Sequence, residues 1–283
     1  MRRPALLVHH FPVPRYLLRI AYDGTGYVGW QRQLNGVSVQ QRLEEAAAGL
    51  AGGTVVVTGA GRTDAGVHAL GQTAHLDLPR DEAGEVVARA LNNRLPPDIR
   101  VRHASQVADD VHARFSATGK TYRYRWLVSA VGHPLLERDA WRVGTPLDVA
   151  EMRRAARHLV GTHDFACFQS AGTDVQSTVR TLSAVRLHGA TPRDRRLFGL
   201  DADEDRLDLV LEGTGFLRHM VRAIAGTLTD IGRGRWPASR MTDILAARDR
   251  GLAGPNAPPH GLTLVQVGYP PGVATRSEAE QPP

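Results

Sequence analysis

A single carboxylate in a glycine-bounded run is the strongest chemical signal in the chain. In Gly59-Ala60-Gly61-Arg62-Thr63-Asp64-Ala65-Gly66-Val67-His68, Asp64 follows an apolar stretch, Val55 to Val57, that reads as a strand feeding a loop. Glycines at 59, 61 and 66 permit backbone conformations and close approaches that a Cβ would obstruct. A planar substrate can therefore reach the carboxylate, and loops on a rigid scaffold are where catalytic side chains are commonly carried. Arg62 precedes Asp64 by two positions, and a nearby guanidinium favours the ionised, nucleophilic form of a carboxylate. An aspartate among glycines is also an ordinary turn-former, because its side chain bonds its own backbone. The residue types alone leave both roles open.

A second pattern bears on the substrate. The net charge of +6 over 283 residues is moderate, but its distribution is uneven. Between Asp110 and Glu137 there is no acidic residue, while Arg114, Lys120, Arg123 and Arg125 alternate with Tyr122, Tyr124 and Trp126. A further acid-free stretch, Gly213 to Thr229, carries Arg218, His219 and Arg222. Basic side chains attract phosphates and aromatic faces stack on unpaired bases, the combination that looped or single-stranded RNA calls for. The plainer alternative is a solvated basic strand with its aromatics in the core. Tyr122, Tyr124 and Trp126 fall on one face of a strand; Tyr124 and Trp126 read as core, and Tyr122, near the start of the strand, as functional.

Several function classes fall away. The strand-like stretch before Gly59-Ala60-Gly61 suggests a dinucleotide fingerprint, but the third glycine of that pattern would fall on Asp64, where a carboxylate would repel a pyrophosphate. No Walker A run is present. His68, His75, His112 and His219 lack zinc-ligand spacing, and Cys167 is the sole cysteine, so no metal site and no internal disulfide are expected. Beside Phe165 and Phe168, Cys167 reads as a small buried hydrophobe. The apolar run Ala5 to Val8 behind Arg2 and Arg3 is shorter than the roughly 7–15 residues of a signal-peptide core. No later segment approaches the ~18 apolar residues of a membrane span, so the expected compartment is the cytoplasm. A non-catalytic RNA-binding module remains as the alternative to an enzyme.

The run from Gly59, extended through Ala69-Leu70-Gly71-Gln72, closely resembles the active-site segment of the tRNA pseudouridine synthase A family. The opening Tyr22-Asp23-Gly24-Thr25-Gly26-Tyr27-Val28-Gly29-Trp30-Gln31 and His112-Ala113-Arg114-Phe115-Ser116 followed by Tyr122-Arg123-Tyr124 are similar to further segments of that family. So are Phe216-Leu217-Arg218-His219-Met220-Val221-Arg222 and Gly261-Leu262-Thr263-Leu264 to Tyr269-Pro270, in the family's order. The resemblance implies an α+β fold of two related α/β halves with mainly antiparallel sheets side by side and a cleft between them. It implies that Asp64 is the catalytic nucleophile, attacking uracil C6 or ribose C1′, with Tyr122 stacking on the uracil and taking part in the C5 proton step. Arg222 would pair with Asp64, and Arg62 would fill the space of a flipped nucleotide or hold its phosphate. Arg114, Lys120, Arg123, Arg125 and Arg218 would serve as RNA contacts. The implied substrate is tRNA at anticodon-arm uridines 38, 39 and 40, without a cofactor, and the implied assembly is a homodimer.

These residues need positioning elements, and the patterning supplies them. Tyr16 to Tyr22, Gln72 to Leu78 and Ile99 to Val107 read as strands, with helices over Ser38 to Leu50, capped by Ser38, and Asp81 to Arg94. Later, Thr121 to Val128, Val179 to His188, Arg206 to Glu212 and Leu262 to Val267 read as strands. Asp148 to Val160 reads as a helix with a capping box completed by Glu151, and Asp201 to Asp208 as a solvated hairpin turn. Leu217 to Ile231 and Ser239 to Arg250 read as helices. The expected organisation is an N-terminal extension over 1–15, halves over 16–108 and 109–271, and a disordered tail over 272–283.

Overall fold

The computed structural model describes residues 13–170, 172, 175–202 and 204–273. The expectations for residues 1–12 and 274–283, most of the extension and of the tail, lie outside the described residues. The chain forms a mixed α/β fold around a mainly antiparallel sheet. In chain order the elements are β1 (Arg15–Tyr22), α1 (Val39–Ala51), β2 (Thr58–Gly59), β3 (His68–Asp77), α2 (Gly84–Asn92), β4 (Ile99–Val107) and β5 (Gly119–Val128). Then follow β6 (Trp141–Val143), α3 (Val149–Arg157), β7 (Gly161–Asp164), β8 (Val179–His188), α4 (Pro192–Phe198), β9 (Asp205–Gly213), α5 (Met220–Gly232), α6 (Arg240–Ala247) and β10 (Leu262–Gly268).

The sheet runs β4-β1-β3-β10-β5-β9-β8-β7. Strands from residues 15–107 occupy one side and those from 119–268 the other, joined where β10 pairs parallel with β3 and antiparallel with β5. The halves thus share one continuous sheet. A single row of registered residues crosses the seam: Tyr22, Ala69, Leu264, Tyr122 and Leu211. Residues opposite one another in register face the same side, so this row carries Tyr22 and Tyr122 on one face. Tyr124 and Trp126 continue that face of β5, fully buried, with Tyr124 Oη donating to the Pro258 carbonyl and Trp126 Nε1 to Thr229 Oγ1 of α5 at 2.9 Å each. Buried aromatics of this size contribute on the order of a few kcal/mol each.

Several local expectations need correction. Val55 to Val57 form no strand; Val55 and Val57 are buried while Val56 is exposed, and only Thr58–Gly59 pairs, with β3. Ser38 does cap α1, accepting from Gln41 N. At α3 only half of the expected box exists. Asp148 accepts from Glu151 N, but the Glu151 carboxylate is drawn away to Ala238 N and Arg154. The hairpin expected over Asp201 to Asp208 is a longer connection with α4 inside it, started by a Thr191–Asp194 capping box. Asp205 and Asp208 belong to β9. The last expected helix stops at Ala247, where Arg248 turns left-handed at φ 56°. Strand β7 was not anticipated, being too short for a period to register. Cys167 is buried, as its neighbours suggest, and burial pushes its thiol up to about 11.

Helix α5 approaches the 254–257 segment so closely that a Cβ on Gly226 would stand 1.7 Å from the Pro255 carbonyl oxygen. An alanine there gains about 1 kcal/mol of helix propensity, but forcing packed backbone apart costs about 1–3 kcal/mol or more. Gly226→Ala is therefore expected to lower the urea midpoint, the crowding outweighing the propensity gain by up to ~2 kcal/mol of stability. A midpoint at or above that of the wild type would contradict this close approach.

Candidate active site

The Asp64 loop is held from three sides. Thr63 Oγ1 bonds Tyr22 Oη at 2.8 Å, Trp30 N donates to the Thr63 carbonyl at 3.0 Å, and Gln72 Nε2 donates to the Gly61 carbonyl at 2.9 Å. The turn closes with Val67 N donating to the Asp64 carbonyl, and Gly66 takes φ 77°, where a side chain would be strained. Gly59 is needed because a Cβ would meet the Trp30 ring at 2.5 Å. The loop is thereby rigid although it carries almost no regular structure.

Asp64 keeps 30% side-chain exposure. Its Oδ2 accepts from Arg222 Nη1 at 3.1 Å, and His219 Nε2 lies 3.3 Å from the same oxygen. Both groups come from the start of α5, where the helix dipole also favours negative charge. The helix begins at Met220, three residues later than its apolar spacing suggests, with His219 at the N-cap. Arg222 is itself fixed by donating from Nε to the Ala257 carbonyl at 2.8 Å. Tyr122 is 8% exposed, and its ring meets Phe216 edge-on at 4.9 Å. Burial, with the charge of Asp64 nearby, pushes its phenol well above the ordinary tyrosine range, so it stays protonated at neutral pH.

Asp64 and Arg222 thus meet, close enough for the carboxylate charge to act on Tyr122, whereas the other sequence candidates scatter. Arg62 is exposed and makes no ion pair among the described residues; the guanidinium on Asp64 is that of Arg222. Arg125, expected among the RNA contacts, is turned into the fold. It is 8% exposed, and its guanidinium is taken by Asp208, its in-register neighbour on β9, at 2.8 Å, and by Asp139. Arg123 lies on that same face, opposite to Tyr122, within 3.6 Å of Asp139. A stretch without acids in sequence is not without acids in space. Arg114 and Arg218 are exposed, Arg114 with its guanidinium over the Phe115 ring at 5.6 Å.

Lys120 shares the face of Tyr122, and its Nζ donates to the Ala60 carbonyl at 3.0 Å, beneath the Asp64 loop. It is the only lysine among 35 basic residues. A compact ammonium fits where a Cβ on Gly61 would stand 2.6 Å from Nζ, and a guanidinium fork is larger and sheds its charge far less readily. Burial, helped by Arg114, lowers the Lys120 amine to about 8. Three of the four histidines weighed as metal ligands instead accept backbone hydrogen bonds: His68 from Gly24, His75 from Ala113 and His112 from Arg114. No cluster of metal-ligating side chains occurs among the described residues.

Two contributors went unrecognised in the sequence. His219 was read only within a basic stretch and as a metal candidate, and Phe216 was given no role beyond its place in a family segment. The spacing of His219 and Arg222, three positions apart and so on one helical face, was the available signal.

Comparison with known proteins identifies the family. A family profile described as tRNA pseudouridine synthase matches residues 19–116 and 155–270. The chain is 44% identical over 265 residues to the tRNA pseudouridine synthase A of Myxococcus xanthus, covering 94% of this chain and 96% of the relative. It is 45% identical over 267 residues to that of Rhodospirillum rubrum, covering 94% and 91%. A third relative of the same name, from Syntrophotalea carbinolica, is 45% identical over 254 residues, covering 90% and 96%. Among the described residues no helix is long and apolar enough to cross a membrane.

The position of Lys120 makes stability depend on pH. Its folded value, about 8, lies below that of the unfolded chain, 10.5. Between these values the unfolded state binds more protons, so this group raises stability as pH rises. Subtracting the unfolding profile of Lys120→Met from that of the wild type should leave a curve climbing from pH 8 to 10.5. A flat difference would mean that the ammonium is as well solvated in the fold as out of it.

Proposed function

The chain belongs to the tRNA pseudouridine synthase family, and we propose that Asp64 is the nucleophile with which it isomerises uridine. It is an isomerase acting on tRNA. The observation that carries the residue assignments is the convergence of Asp64 with Arg222, 158 positions away in sequence, with the charge of Asp64 acting on the buried phenol of Tyr122.

The reaction breaks the bond from ribose C1′ to uracil N1 and joins C1′ to C5; C5 gives up its proton and N1 gains one. There is no net redox change and no hydrolysis. A carboxylate oxygen holds a covalent intermediate, at C6 or C1′, while the base turns. Arg222 keeps Asp64 ionised and oriented. Tyr122 stacks on the uracil and, as a neutral phenol, serves the C5 proton step only by passing its own proton on as it accepts another. A uridine in a stem must leave the stack to reach the carboxylate, at a cost of a few kcal/mol. Arg62, exposed two residues from Asp64, takes the vacated space or the adjoining phosphate. Lys120, which supports the Ala60 carbonyl, holds the loop. Arg114 and Arg218, with Arg123 in a lesser part, grip phosphates.

The substrate uridines are those at positions 38, 39 and 40 of the anticodon arm, and the enzyme works as a cytoplasmic homodimer without a cofactor. This finer reading is supported by the motif resemblance.

Chemical labelling of pseudouridine in tRNA after incubation with the protein alone tests the assignment. Asp64→Asn should abolish product while tRNA affinity stays within several-fold of wild type, and residual turnover above about one percent would refute the nucleophile. Tyr122→Phe should bind tRNA normally and lose most of its turnover; full turnover would reduce Tyr122 to a stacking platform.

A further inference from the structure

His219 combines a backbone anomaly with a directed contact. At φ 62° and ψ 2° it is one of two non-glycine residues with positive φ among those described. Such a conformation persists where surrounding structure over-determines it, and the inference runs from the outlier to a role. Its ring spans two partners. Nε2 lies 3.3 Å from Asp64 Oδ2, and Nδ1 lies 2.7 Å from Ser170 Oγ and 3.4 Å from Asn256 Nδ2.

The donors in this group have a definite sense. Arg250 Nη2 donates to Asn256 Oδ1 at 3.2 Å, which fixes the Asn256 amide with its NH2 group toward Ser170 and His219. An amide NH2 can only donate, and the Ser170 hydroxyl, which accepts from it, is free to turn its own proton to Nδ1; with Nδ1 accepting, the other nitrogen of a neutral imidazole carries the proton. That nitrogen is the one 3.3 Å from Asp64 Oδ2. The charges around the ring act in the same sense: burial comes first, then Arg222, Arg218 and Arg250 hold the imidazole below its ordinary value against the opposing pull of Asp64. Arg222 and His219 share Oδ2, and Oδ1 accepts no bond from the described residues.

We propose that His219 is a positioning residue: a neutral imidazole that donates from Nε2 to Asp64 Oδ2, fixes the carboxylate together with Arg222, and leaves Oδ1 as the attacking oxygen. The proposal rests on Asp64 being the nucleophile. It makes Asn256 and Ser170 its supporting groups, since they choose the tautomer.

Nitrogen-15 NMR of histidine-labelled wild-type protein at pH 7.5 reads the tautomer directly and requires no variant to fold. His219 should show a protonated Nε2 and an unprotonated Nδ1; a protonated Nδ1, in either the other tautomer or the imidazolium, would overturn the proposal. Single-turnover rates with tRNA supply the second arm. His219→Asn, a residue that tolerates positive φ, should lower the rate by about tenfold or more while tRNA affinity stays within about threefold. Asn256→Asp puts an acceptor against Nδ1, so it should move the proton to Nδ1 and lower the rate in the same way. An unchanged rate with the proton moved would refute the role. Asp64→Asn is run alongside. If it stays active, the nucleophile assignment fails; if it is dead while His219→Asn runs at the wild-type rate, only the present proposal fails.

Discussion

The seam formed by β10 is the constraint on which the site depends. Strand β10 comes from the end of the described chain, yet it lies between β3, which follows the Asp64 loop, and β5, which carries Tyr122. Neighbouring strands are about 4.8 Å apart, so β3 and β5 are separated by roughly twice that distance, within reach of a tyrosine on one side and a loop on the other. The register then selects the row: Leu264 pairs with Ala69 and with Tyr122. A slip of one residue would turn Tyr122 to the opposite face.

Helix α5 supplies the other half of the constellation, and its placement is backbone against backbone. Gly226 allows the contact with Pro255, and Ala257 exchanges hydrogen bonds with Arg222. The guanidinium is therefore fixed by main-chain groups before it meets Asp64. On the opposite side, Tyr22, Trp30, Gln72 and Lys120 fix the loop through its hydroxyl and carbonyl groups rather than through the carboxylate. Asp64 can be both precisely located and chemically available because its backbone and side chain are held by different partners.

The charge arrangement follows the same division. One face of β5 carries Lys120 and Tyr122 toward the loop, while Arg123 and Arg125 turn to Asp139 and Asp208. Alternation along a strand sends adjacent basic residues to different tasks. The excess of arginine in this segment is thus partly structural, and the proposed phosphate contacts rest on the exposed Arg62, Arg114 and Arg218.

The sequence by itself determined most elements, because period and capping are local: Ser38 caps α1 and the alternation of β5 puts Tyr124 and Trp126 in the core. It also marked Asp64, Tyr122 and Arg222, through motifs whose residue types and order are written in the chain. It could not place His219 on Asp64 or withdraw Arg125 from the surface. Each of those outcomes depends on residues distant in sequence, Asp208 opposite Arg125 on β9 and Asn256 behind His219 among them. Local patterns report which face a side chain takes. Only the packed sheet and helix decide what stands opposite it, since charge and hydrogen-bond partners are set by distance in space and not along the chain.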